Sequence, residues 1–167
     1  ATDDQRIFDH VVSFGGQVTL TSSDHQSGTD RCGEALKNYN SEVDVVVNIQ
    51  GDEPFIQPDQ ITQLINVFND NDVDISTLSK KINDNKTVKD PNVVKVVRQA
   101  NSFALYFSRS PLEKLIQLPT SKLETTEALE QLRWLENGYK IHVGTTQHEN
   151  IGIDTPEDLI KIKDILK

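Results

Sequence analysis

Asp52 and Asp154 occupy matching places in two distant stretches of the chain. Asp52 closes the run "VVVNIQGD" (45–52), while Asp154 follows the short apolar "IGI" (151–153) and precedes "TPEDL". Each carboxylate stands just past an apolar extended segment. In open α/β sheets, ligands bind beyond the carboxyl ends of the parallel strands. Two acids so placed suit magnesium, a hard cation that takes oxygen from one or two carboxylates and from substrate phosphates. Each acid also has a plainer explanation. Gly51-Asp52 is a turn dipeptide, and Asp154 sits where a helix-entry residue would cap the helix that follows. Spacing alone does not choose between these.

The surrounding pattern says what must hold the acids in place. Val45, Val46, Val47 and Ile49 leave no polar face, which predicts a buried strand over 43–49 as rigid support for Asp52. Further strands are expected at "QVTLT" (17–21), "DISTLSK" (74–80), "VVKVVRQ" (93–99), "FALYFSRS" (103–110) and "YKIHVGT" (139–145). Helical spacing appears in Ile7, Phe8, Val11 and Val12, after the starting acids Asp3 and Asp4, and Gly15-Gly16 stops that helix. A second helix is expected over roughly 30–39, capped from Ser27-Gly28-Thr29-Asp30, and a third from Pro58 through Ile61, Leu64, Ile65 and Phe68. "LETTEALEQLRWLENG" (123–138) reads as a long helix ended by Gly138, and the chain closes on an amphipathic helix with Leu159, Ile162, Ile165 and Leu166 inward. The stretch between strands 74–80 and 93–99 reads as polar connection with a turn at Asp90-Pro91-Asn92. Alternation of this kind predicts one α/β layered domain over 1–167, with a mixed, mostly parallel sheet flanked by helices.

At 167 residues the chain is the size of one domain. Its formal net charge of −9 argues against a nucleic-acid or membrane surface, since both are polyanionic. A phosphate or carboxylate ligand would then need a local basic patch or a metal ion. Cys32, the single cysteine, excludes an internal disulfide and the common cysteine zinc sites, and fits a reducing cytoplasm. No apolar run approaches a membrane span, and the opening "ATDDQRIFDHV" reads as part of something longer. His10, His25, His142 and His148 lack metal-ligand spacing.

"SGTDR" (27–31), "NIQGDEP" (48–54), "DPNVVKVV" (90–97), "ALYFSRSP" (104–111), "LEQLRWLENGYKIHV" (129–143) and "GIDTPEDL" (152–159) occur in that order. Together they closely resemble the 3-deoxy-manno-octulosonate cytidylyltransferases, or CMP-KDO synthetases, nearly from end to end. The resemblance implies a nucleotide-diphospho-sugar transferase-like (Rossmann-like) fold. It implies transfer of CMP from CTP to the sugar acid KDO with release of pyrophosphate, for lipopolysaccharide assembly. It makes Asp52 and Asp154 the magnesium ligands, and it places Gln50, Glu130 and Gln131 at the sugar-acid pocket. Ser27, Gly28 and Arg31 fall in the loop facing the nucleotide, and Arg109 is an anion contact. For Arg31 and Arg109 the ordinary alternative is solvation or a surface salt bridge. Glu130 and Gln131 are neighbours on a helix, so their side chains diverge by about 100° and cannot share one face.

The resemblance also implies a homodimer. Leu129, Leu132, Trp134 and Leu135 offer more apolar surface than one stripe needs, which suggests that part of their helix meets another subunit.

Two family segments have no counterpart. One is the N-terminal β-α unit with a basic, glycine-containing loop that grips the triphosphate. The other is a stretch of a few dozen residues that would fall near Leu112. The expectation is that both are left out rather than deleted, because losing a leading strand would strip the sheet of central partners. Two other functions stay open: a cytidylyltransferase for another acidic sugar such as a sialic acid, and a catalytically silent nucleotide-binding relative.

Overall fold

The computed structural model describes residues 1–70, 72–109, 129–148, 152–153, 158, 160 and 162. The chain divides into two compact units, residues 1–54 with 152–167, and residues 55–151.

In the first unit, α1 spans Gln5–Ser13 and α2 spans Gly28–Lys37. Asp4 caps α1 by accepting the Arg6 amide at 2.8 Å. The helix ends as Gly15-Gly16 predicts: the amides of Gly15 and Gly16 return to the carbonyls of Val12 and Val11 at 3.0 and 2.9 Å. Gly15 takes φ 78° to do so, a conformation that glycine adopts without Cβ strain. Within 17–21, Thr2 forms one parallel bridge with Leu20, its amide donating to Thr19 and its carbonyl accepting from Thr21.

The expected buried strand over 43–49 is not what the structure shows. Among the described residues none of these forms a backbone ladder, and Val46 and Ile49 are 49% and 47% exposed. Val45 and Val47 are half-buried, so the stretch is extended with one face open. A groove of about 520 Å³ lies against both extended stretches, lined by Val18, Thr19, Leu36, Tyr39, Val46 and Ile49 among others. An apolar run is buried on both faces only where neighbours pair with it and cover it. Among the described residues no strand pairs with Val46, and half of its surface stays open.

The second unit carries the core. Its helices are α3 (Pro58–Asn66), α4 (Asn85–Lys89) and α5 (Glu130–Glu136), and its strands β1 (Ile75–Ser79), β2 (Lys95–Arg98), β3 (Ala104–Ser108) and β4 (Ile141–Thr145). β1 runs parallel to β4 in register from Ile75 opposite Ile141 to Ser79 opposite Thr145. β2 and β3 pair antiparallel, and an isolated bridge from Phe103 to His142 connects with β4. The molecule is thus mixed α/β, with the four strands of this unit falling where the sequence places strands. Helix α4 was unexpected. Asp84 caps it, accepting the Thr87 amide at 2.8 Å and the Thr87 hydroxyl at 2.7 Å.

Ala104, Phe107, Leu129, Leu132, Ile141 and Val143 form the buried cluster, with Ile75, Val96, Tyr106, Trp134 and Leu135 packed against it. Of the apolar residues on the helix before Gly138, Leu129 and Leu132 lie inside this cluster, and Trp134 and Leu135 are half-buried against it. Residues 123–128 lie outside the described residues. Gly138 ends α5 at φ 84°, its amide returning to Leu135 and that of Tyr139 to Trp134, both at 3.1 Å.

Candidate functional site

Ser27 is the N-cap of α2, where its hydroxyl accepts the Asp30 amide at 3.1 Å and donates to the Asp30 carboxylate at 2.8 Å. That hydroxyl is therefore engaged in starting the helix. Gly28, the first helical residue, lies directly under the 48–50 segment. A Cβ built on it would stand 3.3 Å from Gln50 Nε2 and 3.6 Å from Asn48 Nδ2.

Arg31, one turn into α2, faces back into its own unit. Its guanidinium donates to Thr21 Oγ1 at 2.6 Å, to the Ser22 carbonyl at 3.2 Å and to Asp3 Oδ2 at 2.9 Å. Here it clamps the N-terminal residues and the 21–22 stretch to α2, which is the ordinary salt-bridge alternative. A second clamp lies beside it. Glu34 accepts the Ser22 amide at 2.9 Å and pairs with His25 Nε2. The Ser22 amide, then His25, hold the Glu34 carboxyl below its usual range. The loop 22–27 is thereby tied to α2 at both ends.

The Asp52 turn is held by the Glu53 amide donating to the Gln50 carbonyl at 3.1 Å. The Ile153 amide donates to the Asp52 carbonyl at 2.9 Å. This bond joins the "NIQGDEP" segment to the "GIDTPEDL" segment within one unit. Asp154 follows Ile153 in the chain and lies outside the described residues. The Asp52 carboxylate is exposed, with no hydrogen bond or ion pair to any described residue. An anionic oxygen pair left open at a braced turn fits a hard cation whose shell is completed by phosphate and water. Among the described residues, no group of three or more His, Cys, Asp or Glu is set to hold a metal by itself.

Arg109, Glu130 and Gln131 belong to the second unit. Arg109 is exposed just past β3, and its guanidinium reaches the Pro91 carbonyl at 3.5 Å. Glu130 and Gln131 open α5, both half-buried, and Glu130 faces Arg133 at 3.7 Å. Two polar residues beside the candidate positions were missed from sequence. Asn48 shares the side of the extended segment that Gln50 uses; its spacing of two residues from Gln50 was a readable signal. Lys95, in the middle of "VVKVV", is 5% exposed and donates its ammonium to the carbonyls of Asp90 (2.9 Å) and Arg109. A lone lysine inside an apolar run was the available sign.

A family model described as cytidylyltransferase matches residues 1–113. A protein of Cytophaga hutchinsonii named 3-deoxy-manno-octulosonate cytidylyltransferase is 44% identical over 97% of this chain and 77% of its own length. Proteins of the same name from Parabacteroides distasonis and Thermodesulfovibrio yellowstonii are 46% and 45% identical, over 96% and 95% of this chain and 78% and 77% of theirs. Among solved structures, CMP:2-keto-3-deoxy-manno-octonic acid synthetase complexed with CTP superposes with a TM-score of 0.86 at 32% identity. It covers 98% of this chain and 78% of that one.

Proposed function

The chain belongs to the 3-deoxy-manno-octulosonate cytidylyltransferase family, and from that membership we propose that it transfers CMP from CTP to KDO. The anomeric hydroxyl oxygen of KDO attacks the α-phosphorus of CTP. The bond to the β-phosphate oxygen breaks, pyrophosphate departs, and the hydroxyl proton is lost to the surroundings. Such a transfer asks the protein mainly for positioning and for charge neutralisation.

The Ile153–Asp52 hydrogen bond is the observation that carries this reading, because it ties the two acidic motif segments together in one unit. Asp52 and Asp154 would hold magnesium. When bound, that ion would supply positive charge against the triphosphate and polarise the α-phosphoryl oxygens. With a formal net charge of −9, the chain itself has little to offer in that role.

The remaining parts are the chain's own. Ser27 and Gly28 present the first turn of α2 toward the nucleotide, and the Arg31 clamp keeps that turn fixed on the 21–22 stretch. Gln50 offers a neutral amide to the sugar acid. For Arg109 we propose an anion contact, and for Glu130 and Gln131 a sugar-acid contact, on the resemblance alone. We further propose a homodimer acting in the cytoplasm in lipopolysaccharide assembly. In keeping with this, no helix among the described residues is long and apolar enough to cross a membrane.

The test is pyrophosphate release from CTP with KDO and magnesium, set beside a sialic acid and beside UTP. Turnover confined to CTP with KDO is the expected result. Turnover with the sialic acid alone would move the sugar assignment, and CTP binding without turnover of either sugar would overturn the enzyme.

A further inference from the structure

Lys95 interrupts an apolar run. Val93, Val94, Val96 and Val97 flank it, and it opens β2 opposite Ser108 of β3. The residue is 5% exposed, and a lysine is rarely buried so far unless acceptors meet its ammonium. Two of those acceptors are main-chain carbonyls. One belongs to Asp90, at 2.9 Å, and the other to Arg109, the residue after Ser108. The Asp90 turn has bonds of its own. Its carboxylate accepts the Asn92 amide at 2.9 Å, and its carbonyl also accepts the Val93 amide at 3.3 Å. What the ammonium adds is a link between that turn and the end of β3. Arg109 meets the turn a second time, since its guanidinium lies 3.5 Å from the Pro91 carbonyl. Lys95 therefore ties the backbone of Arg109 to the turn that its guanidinium reaches.

We propose that Lys95 is a positioning residue for Arg109: by holding the Arg109 carbonyl and the Asp90 turn together, it sets where the Arg109 guanidinium meets an anionic group of the substrate. The inference rests on the anion contact proposed for Arg109 above. Lys95 acts through Arg109, with its own ammonium buried against the two carbonyls.

Kinetics and spectroscopy on the full chain test it separately. Arg109→Ala should raise the KM for one anionic substrate, CTP or KDO, by about tenfold or more, the range of a lost charged hydrogen bond. Lys95→Met keeps the stem and withdraws the donor, and should raise the KM for that same substrate by about three- to tenfold. In an Arg109→Ala background it should change that KM by less than about twofold, because residues acting through one contact are not additive. Lost stability alone lowers the amount of active protein, and with it the apparent kcat, but leaves KM in place. An unchanged KM in Lys95→Met, or full additivity with Arg109→Ala, would overturn the proposal. If Lys95→Met does not fold, Lys95→Gln, with a neutral donor one atom nearer the backbone, should show the same coupling to Arg109. In the NMR spectrum of the free protein, Lys95→Met should also displace the side-chain Nε–H resonance of Arg109. A resonance left in place would show that the lysine does not set the guanidinium, whether or not the chain turns over. No effect of Arg109→Ala on either KM would remove the anion contact itself, and with it the substrate role of Lys95.

Discussion

The amide of Ile153 donates to the carbonyl of Asp52 at 2.9 Å, so a segment from late in the sequence is pinned to the Asp52 turn. The bond uses main-chain atoms, which leaves the Asp52 carboxylate open to the outside. A turn braced through its backbone holds its carboxylate steady without using it, which suits a mount for an ion.

Asp52→Asn keeps the size and removes the charge, and should lower turnover by roughly 10²–10³-fold, matching several kcal/mol of lost charge stabilisation. Asp154→Asn should do the same. Pyrophosphate release at saturating CTP, KDO and magnesium measures both. Turnover near that of the unsubstituted protein would remove the residue concerned from the metal site.

Gln50→Ala should raise the KM for KDO by about two- to tenfold and leave that for CTP nearly unchanged. A neutral amide to a sugar hydroxyl contributes about 0.5–1.5 kcal/mol and carries no charge for a triphosphate. Varying each substrate separately decides the matter. A raised KM for CTP alone would move Gln50 to the nucleotide.

Asp4 links pH to the start of α1. The Arg6 side chain, then the Arg6 amide, lower its carboxyl from 3.8 to about 2. A depressed folded-state value means the cap's contribution is fully present above the unfolded value and is lost as pH falls through about 2. The Arg6 amide resonance, whose proton Asp4 accepts, should therefore hold down to about pH 3 and move below it. In Asp4→Asn that acid transition should be absent. A transition centred near pH 4 in the unsubstituted protein would show that the Arg6 contacts do not persist in solution.

What was legible in the sequence had local causes. Gly15 and Gly138 end their helices because a left-handed residue returns two amides to the preceding turn, a device contained within six residues. The strands of the second unit were readable because short runs of β-branched or aromatic residues stand between turn residues. Three features depended on partners that a local pattern does not reveal. Val45 to Ile49 have the composition of a two-sided buried strand, but burial needs neighbours, and the groove beside Val46 is open. Leu129, Leu132, Trp134 and Leu135 looked excessive for one stripe; Leu129 and Leu132 join Ala104, Phe107, Ile141 and Val143 in the core, a placement that depends on strands far along the chain. For Arg31 the sequence left a nucleotide-facing loop and an ordinary salt bridge both open, and its bond to Asp3 spans 28 positions, which no short motif encodes. In the candidate site the open carboxylate of Asp52 was readable from its turn.

Lys95 gives the last test, because its ammonium is bonded to two backbone carbonyls of its own unit. Its stem is buried among β2 and β3, and its ammonium bridges the carbonyls of Asp90 and Arg109. Lys95→Met keeps the length and apolar bulk of the stem and withdraws the donor from both carbonyls. Charged hydrogen bonds contribute about 1.5–3 kcal/mol, and removing one partner of a buried pair exposes the other's desolvation cost. Stability should therefore fall by about 1.5–3 kcal/mol, read from the urea midpoint at unchanged slope. The backbone at Arg109 loses an anchor in the same step, so the amide resonances of 108–109 and 90–91 should move together. A variant as stable as the parent, with those resonances in place, would show that the ammonium does not bridge the two carbonyls in solution.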